Sequence, residues 1–157
     1  MDRFSPRHLG ALAGAGSAFL LAAALAFQAA GYAPCELCIL QRWPHVLAAT
    51  LGLAAWFSHG ARAVLWLGAL AAAVAVGFAA YHAGVEYGFW PGPTACTGGM
   101  GIGALSTTDL LAQIEANTRV VRCDEPALVI LGLSMAGMNA LASLVLTGIW
   151  ITAARRA

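Results

Sequence analysis

Charge is scarce in this chain: 10% of its 157 residues are Asp, Glu, Lys or Arg, while 61% are hydrophobic. A soluble domain usually carries about a quarter charged residues and about half apolar ones, so the composition excludes that class and points to a bilayer. No basic run occurs, and the net charge is +1. Phosphate binding needs clustered cations that release counterions, so nucleic acid is excluded as a partner. An internal repeat and a charge at mid-membrane depth, which a transporter would require, are both missing. A second closely spaced cysteine pair is missing too, because Cys96 and Cys123 stand 27 positions apart. That spacing argues against a structural four-cysteine zinc site, and no bound metal is expected.

What the chain does have is apolar length. Four stretches reach the roughly 20 residues of a membrane span, at about 9–29, 35–58, 63–82 and 127–152. They predict an all-α protein, a membrane four-helix bundle forming a single domain over residues 1–157. The second span reaches full length only if its helix begins near Cys35, because the apolar run from His45 to Phe57 is short by itself. Arg3, Arg7 and His8 ahead of a run ending in Ala29-Ala30-Gly31 imitate a secretory signal. The run exceeds the roughly 7–15 apolar residues of a cleaved signal, so an uncleaved first span is expected. Gly10 and Gly14 form a small-xxx-small pair suited to close helix packing, and Ser134 and Asn139 are polar enough to bond between helices.

With four spans, Arg3, Arg7, Arg62, Arg155 and Arg156 fall on one face, and Arg42, Arg119 and Arg122 on the other. Cytoplasmic loops are enriched in Lys and Arg, so both termini are expected in the cytoplasm. All four cysteines then lie on the opposite face, which in a bacterium is the periplasm, where disulfides persist. Tyr32, Trp43, Tyr81, Tyr87 and Trp90 fall near the cysteine side and Trp56, Phe57 and Trp150 near the other. They suit interfacial belts, or ordinary packing.

Residues 83–126 form an outer loop far longer than a turn requires. Its segment 88–99 is dense in Gly and Pro and is expected to be irregular. Ser106-Thr107-Thr108-Asp109 has the spacing of a capping box, with Leu105 and Leu110 placed as a hydrophobic staple. A short amphipathic helix of about ten residues is predicted to follow, with Leu110, Leu111 and Ile114 on one stripe. It would lie in the membrane interface or pack on the end of the bundle.

Pro34-Cys35-Glu36-Leu37-Cys38 combines a C-x-x-C with a proline suited to the first turn of a helix. A cysteine there meets free backbone N–H groups and the positive end of the dipole, which favour a reactive thiolate. Cys35, Cys38 and Arg42 at i, i+3 and i+7 share one face of a continuous helix, with Arg42 one turn deeper. An arginine near hydrocarbon is a functional candidate by default, here to steady a Cys38 thiolate or a cofactor carbonyl; alternatively it snorkels to headgroups. Pro44 should leave the Leu40 carbonyl unpaired and kink the helix just beyond Arg42. His82 would contact the same cofactor or cap a helix end, and His45 is expected to be interfacial packing. His8 and His59 fall on the cytoplasmic side, away from the chemistry.

Cys35-Glu36-Leu37-Cys38-Ile39-Leu40-Gln41-Arg42 resembles the first-loop motif of the disulfide bond formation protein B family, bacterial inner (cytoplasmic) membrane oxidases, in which C-x-x-C is followed by an arginine four residues later. The long outer loop, with Cys96 after a Pro/Gly-rich stretch and Cys123 just before the last span, is similar as well. The resemblance implies that Cys96 is attacked by a reduced periplasmic thioredoxin-like dithiol oxidase (DsbA-like), and that Cys123 is its loop mate. It further implies that Cys35 and Cys38 take the electrons, that Cys38 passes them to a quinone (ubiquinone or menaquinone), and that Arg42, with His82, helps bind it. Gln41 departs from family members that carry an acid there, so no role is assigned to it. A soluble partner poised near about −120 mV is itself a strong oxidant, so only a strong lipid-held acceptor can reoxidise it. A vitamin K epoxide reductase-like enzyme is the nearest rival, although its C-x-x-C is expected on a late helix. A non-enzymatic metal-binding membrane protein is the rival from another class.

Overall fold

The computed structural model describes residues 5–93 and 121–157. Cys96 and the helix expected after Ser106 lie outside the described residues. In chain order the elements are α1 (Pro6–Ala29), α2 (Glu36–Leu40), α3 (Arg42–Phe57), α4 (Arg62–Glu86), β1 (Val129–Ile130), β2 (Leu133–Ser134) and α5 (Met135–Arg156). Three of them, α1, α4 and α5, are long and apolar enough to cross a membrane.

The helices pack with their small residues inward. α1 lies against α3 and α5, and α4 against α3 and α5. Their shared core is Ala13 of α1, Ala55 of α3, Leu65, Ala69 and Ala72 of α4, and Trp150, Ala153 and Ala154 of α5. Large apolar side chains point outward instead: Phe19 is 72% exposed, Leu53 65%, Leu70 63% and Val145 64%, one from each of the four helices. In water such a surface would drive aggregation, whereas lipid tails are as apolar as leucine. Small residues inside let the backbones approach. A Cβ on Gly14 would stand 2.5 Å from Gly52 Cα, and one on Gly10 would stand 2.6 Å from a Leu65 methyl. The Gly10/Gly14 pair is thus a packing seam, as expected from its spacing.

Several expected boundaries shift for local reasons. The second helix starts near Cys35 but breaks at Gln41 into α2 and α3, one residue before Arg42. The break follows from Pro44, which has no N–H for the carbonyl four residues earlier. Pro34 is not in the first helical turn, since Cys35 is the N-cap and Glu36 the first helical residue. α4 runs one turn beyond 82 to Glu86, which stacks Glu86 one turn after His82. The last helix begins not at 127 but at Met135, where the Ser134 hydroxyl accepts the Gly137 N–H at 3.1 Å.

Ahead of it, Val129 pairs with Ser134 and Ile130 with Leu133 in a two-stranded antiparallel hairpin. Leu131 and Gly132 at its tip have φ of 52° and 79°, the left-handed pair of a type I′ turn. Tyr87 fastens this hairpin to the end of α4, its hydroxyl donating to the Gly132 carbonyl at 3.1 Å and accepting the Ser134 N–H at 3.0 Å.

Trp150 takes the packing alternative. It is fully buried, not interfacial, and its ring fills the space left by Gly68, where a Cβ would lie 2.5 Å from ring carbons. Trp56 and Phe57 are exposed as a belt requires, and so are Tyr32, Trp43, Tyr81, Tyr87 and Trp90. Trp90 stacks on Tyr81 and donates its indole N–H to the Tyr81 carbonyl at 3.0 Å, which folds the start of the outer loop back along α4.

Candidate active site

The sequence candidates converge at one end of the helices. As N-cap of α2, Cys35 accepts the Cys38 N–H on its sulfur at 3.3 Å. The turn brings the two sulfurs to 3.0 Å, and both cysteines are free thiols. Cys123 is disulfide-bonded. It is fully buried, in one cluster with Cys35, Leu37 and Val85, on which Cys38 and Val121 pack. A two-residue C-x-x-C pair and a loop cysteine thus share one apolar patch, the proximity that thiol–disulfide exchange requires.

His82 is the link between them. Its Nε2 lies 3.6 Å from Cys35 Sγ and 3.8 Å from Glu86 Oε1, and its ring lies beside the backbone of Cys123. Glu86, whose side chain is 5% exposed, lies beside the Ser134 hydroxyl. Next to Cys123, Arg122 donates to both Asp124 carboxylate oxygens, at 3.0 and 2.6 Å. That hydrogen bonding holds the Asp124 carboxyl below its ordinary range.

Arg42 sits at the start of α3, half-buried, and donates from Nη1 to Gln28 Oε1 at 2.7 Å, tying α3 to the end of α1. Although the helix is broken, Cys35, Cys38 and Arg42 still share a surface, because all three line one cavity of about 320 Å³ together with His45, His82 and Glu86. The rest of the wall is chiefly aliphatic and aromatic, including Leu20, Leu21, Ala24, Phe27 and Met138. Buried Arg42 Nε and Glu86 Oε2 have no hydrogen-bond partner among the described residues. An apolar cavity with a few convergent polar groups beside two thiols fits a flat, lipid-soluble redox ring. The donor atoms of Cys35, Cys38 and His82 also lie within 4.8 Å of one another, close enough for one soft metal ion to reach all three.

The residues 6–153 match the family model of disulfide bond formation protein DsbB. The chain belongs to the DsbB family. That membership makes it an oxidoreductase of disulfide bond formation with transmembrane helices. No curated protein and no solved structure matches it.

Three residues of the DsbB-type site escaped the sequence. Gln41, given no role, is buried at the helix break and contacts His82. His45, expected at the interface, is buried and bonds Asn139. It turns inward because Pro44 and the break reset the face that α3 presents. Asn139 does bond between helices, as its polarity suggested. Glu86 had one available signal, its spacing of four from His82.

Proposed function

We propose that this chain is a four-pass membrane thiol:quinone oxidoreductase that reoxidises a periplasmic thioredoxin-like dithiol oxidase and passes the electrons to ubiquinone or menaquinone, making disulfides de novo. In this reading it lies in a bacterial inner membrane, with both termini cytoplasmic, the cysteines periplasmic, and a short amphipathic helix in the outer loop. The observation that carries it is the placing of free, buried Cys35 and free, half-buried Cys38 beside disulfide-bonded Cys123, with Cys35, Cys38 and Arg42 in the wall of one cavity.

A thiolate of the reduced partner attacks Cys96 of a Cys96–Cys123 disulfide, and the partner's second thiol then closes its own disulfide and leaves both loop thiols reduced. Cys123 next attacks the Cys35–Cys38 disulfide at Cys35, releasing the Cys38 thiolate, and Cys96 resolves the bond between loop and helix. The loop is reoxidised, and two electrons now reside on Cys35 and Cys38. A quinone in the cavity lined by Cys35, Cys38 and Arg42 would supply the acceptor for two electrons and two protons as the Cys35–Cys38 disulfide re-forms. Arg42 provides the positive charge for the acceptor's developing negative oxygen, and the aliphatic wall keeps water from the sulfurs.

For Arg42→Ala we expect quinone KM to rise about tenfold or more, the scale of one charge-assisted hydrogen bond, with both disulfides intact by thiol titration. Unchanged quinone kinetics would contradict the role given to Arg42. The thiol, thiol and imidazole trio supports a second reading as a metal-binding protein. Metal analysis separates the two. The redox reading predicts purified protein free of zinc with a titratable dithiol, whereas the metal reading predicts one zinc per chain and no quinone-dependent loss of thiols.

A further inference from the structure

Behind the sulfurs runs a chain of hydrogen bonds whose direction is fixed at one point. The Gln41 amide nitrogen donates to the Leu37 carbonyl at 3.3 Å. A backbone carbonyl only accepts, so this end of the amide is its NH₂. The same nitrogen lies 2.6 Å from His82 Nδ1, which must therefore be the acceptor. At the other end of the amide, Gln41 Oε1 accepts from Asn139 Nδ2 at 2.8 Å. That orients Asn139 in turn. Its Oδ1 accepts from His45 Nε2 at 3.0 Å and from the Ser143 hydroxyl at 3.3 Å. Gln41, His45, His82 and Ser143 are all buried, so no water competes for these atoms.

We infer that Gln41, held by Asn139, is a positioning residue that fixes the tautomer of His82 and makes it a hydrogen-bond donor toward the cysteines instead of a base. With Nδ1 occupied as an acceptor, the neutral ring carries its hydrogen on Nε2. Facing that N–H are Cys35 Sγ at 3.6 Å and Glu86 Oε1 at 3.8 Å. Arg42 lines the same cavity. Every link from His45 through Asn139 and Gln41 to His82 donates in the same sense, so the bonds polarise one another toward the sulfur. The result is stabilisation of negative charge on the reduced Cys35–Cys38 pair, which makes their disulfide a stronger oxidant. The α2–α3 break leaves Gln41 where it meets His82 of α4 and Asn139 of α5.

This inference deepens the redox reading above, yet its test needs neither quinone nor partner. Protein labelled with ¹⁵N-histidine is measured by NMR in detergent, with the His82 signals assigned from their loss in His82→Gln. The native chain is expected to show hydrogen on Nε2 and a bare Nδ1; hydrogen on Nδ1 overturns the inference. Gln41→Glu keeps the size and places an accepting carboxylate against Nδ1, so Nδ1 should become protonated, and unchanged nitrogen shifts count against the inference.

The second readout is the reduction equilibrium of the Cys35–Cys38 disulfide in defined thiol buffers, quenched and alkylated after denaturation. Gln41→Met removes the donor and should make that disulfide about tenfold harder to reduce, the scale of a hydrogen bond to a charged group. An equilibrium constant equal to that of the native chain also overturns it. A protein with hydrogen on Nε2 that fails to reduce quinone refutes the proposed function alone. One that reduces quinone with hydrogen on Nδ1 refutes this inference alone.

Discussion

Cys38→Ser is expected to reduce quinone-dependent thiol oxidation to background while leaving the loop able to form a mixed disulfide with its partner. A serine hydroxyl neither ionises near neutral pH nor forms a disulfide with Cys35, so the two electrons have no route out of the helix pair. The packing cost is small. Cys38 is half-buried, its sulfur contacts the Cys35 sulfur at 3.0 Å, and serine is slightly smaller, so the fold should survive and the loss be chemical. Trapping the partner on Cys96 by mass spectrometry, beside a quinol assay, separates the two halves of the reaction. A variant that still produces quinol at the native rate would remove Cys38 from the path.

Gly14→Leu is expected to have the largest effect on the fold. At this point α1 meets α3 backbone to backbone, and the atom nearest a new Cβ is Gly52 Cα at 2.5 Å, with Ala48 O at 3.3 Å. No side chain is available to swing aside, so the helices must separate along the seam that also buries Ala13 and Ala55. Overpacking of this kind costs about 3 kcal/mol, a large fraction of a marginal stability of about 5–15 kcal/mol. Gly77→Ala is the control, because a Cβ there meets nothing within 4 Å. Thermal unfolding followed by circular dichroism in detergent should show a large loss for the first variant and none for the second. Equal melting temperatures would mean that α1 and α3 do not meet through Gly14.

Features that depend on local pattern were legible in the sequence. The apolar runs located the long helices, the glycine spacing located the α1 seam, and Pro44 announced a break in the second helix, which falls just before Arg42 and not just beyond it as expected. Cys35, Cys38, Arg42, His82 and Cys123 were singled out and do come together; Cys96 lies outside the described residues. Features that depend on which faces meet were not legible. Gln41, His82 and Asn139 are 41 and 98 positions from one another along the two bonds that join them, and periodicity says nothing about partners so distant. The height of Trp150 along its helix followed from its position, but whether it faced the interface or the core was decided only by packing against Gly68. The hairpin at Val129–Ser134 was hidden because Val129-Ile130-Leu131 simply prolongs the apolar run that continues into α5.

The central claim is that electrons move from a soluble dithiol through Cys35 and Cys38 to quinone. Its most direct measurement mixes purified protein, a reduced thioredoxin-like dithiol partner and quinone under anaerobic conditions, and follows thiols and quinol together. One quinol should appear for each partner disulfide formed, over many turnovers and only with Cys38 present. Partner thiols that persist, or thiols that disappear with no quinol formed, would contradict it.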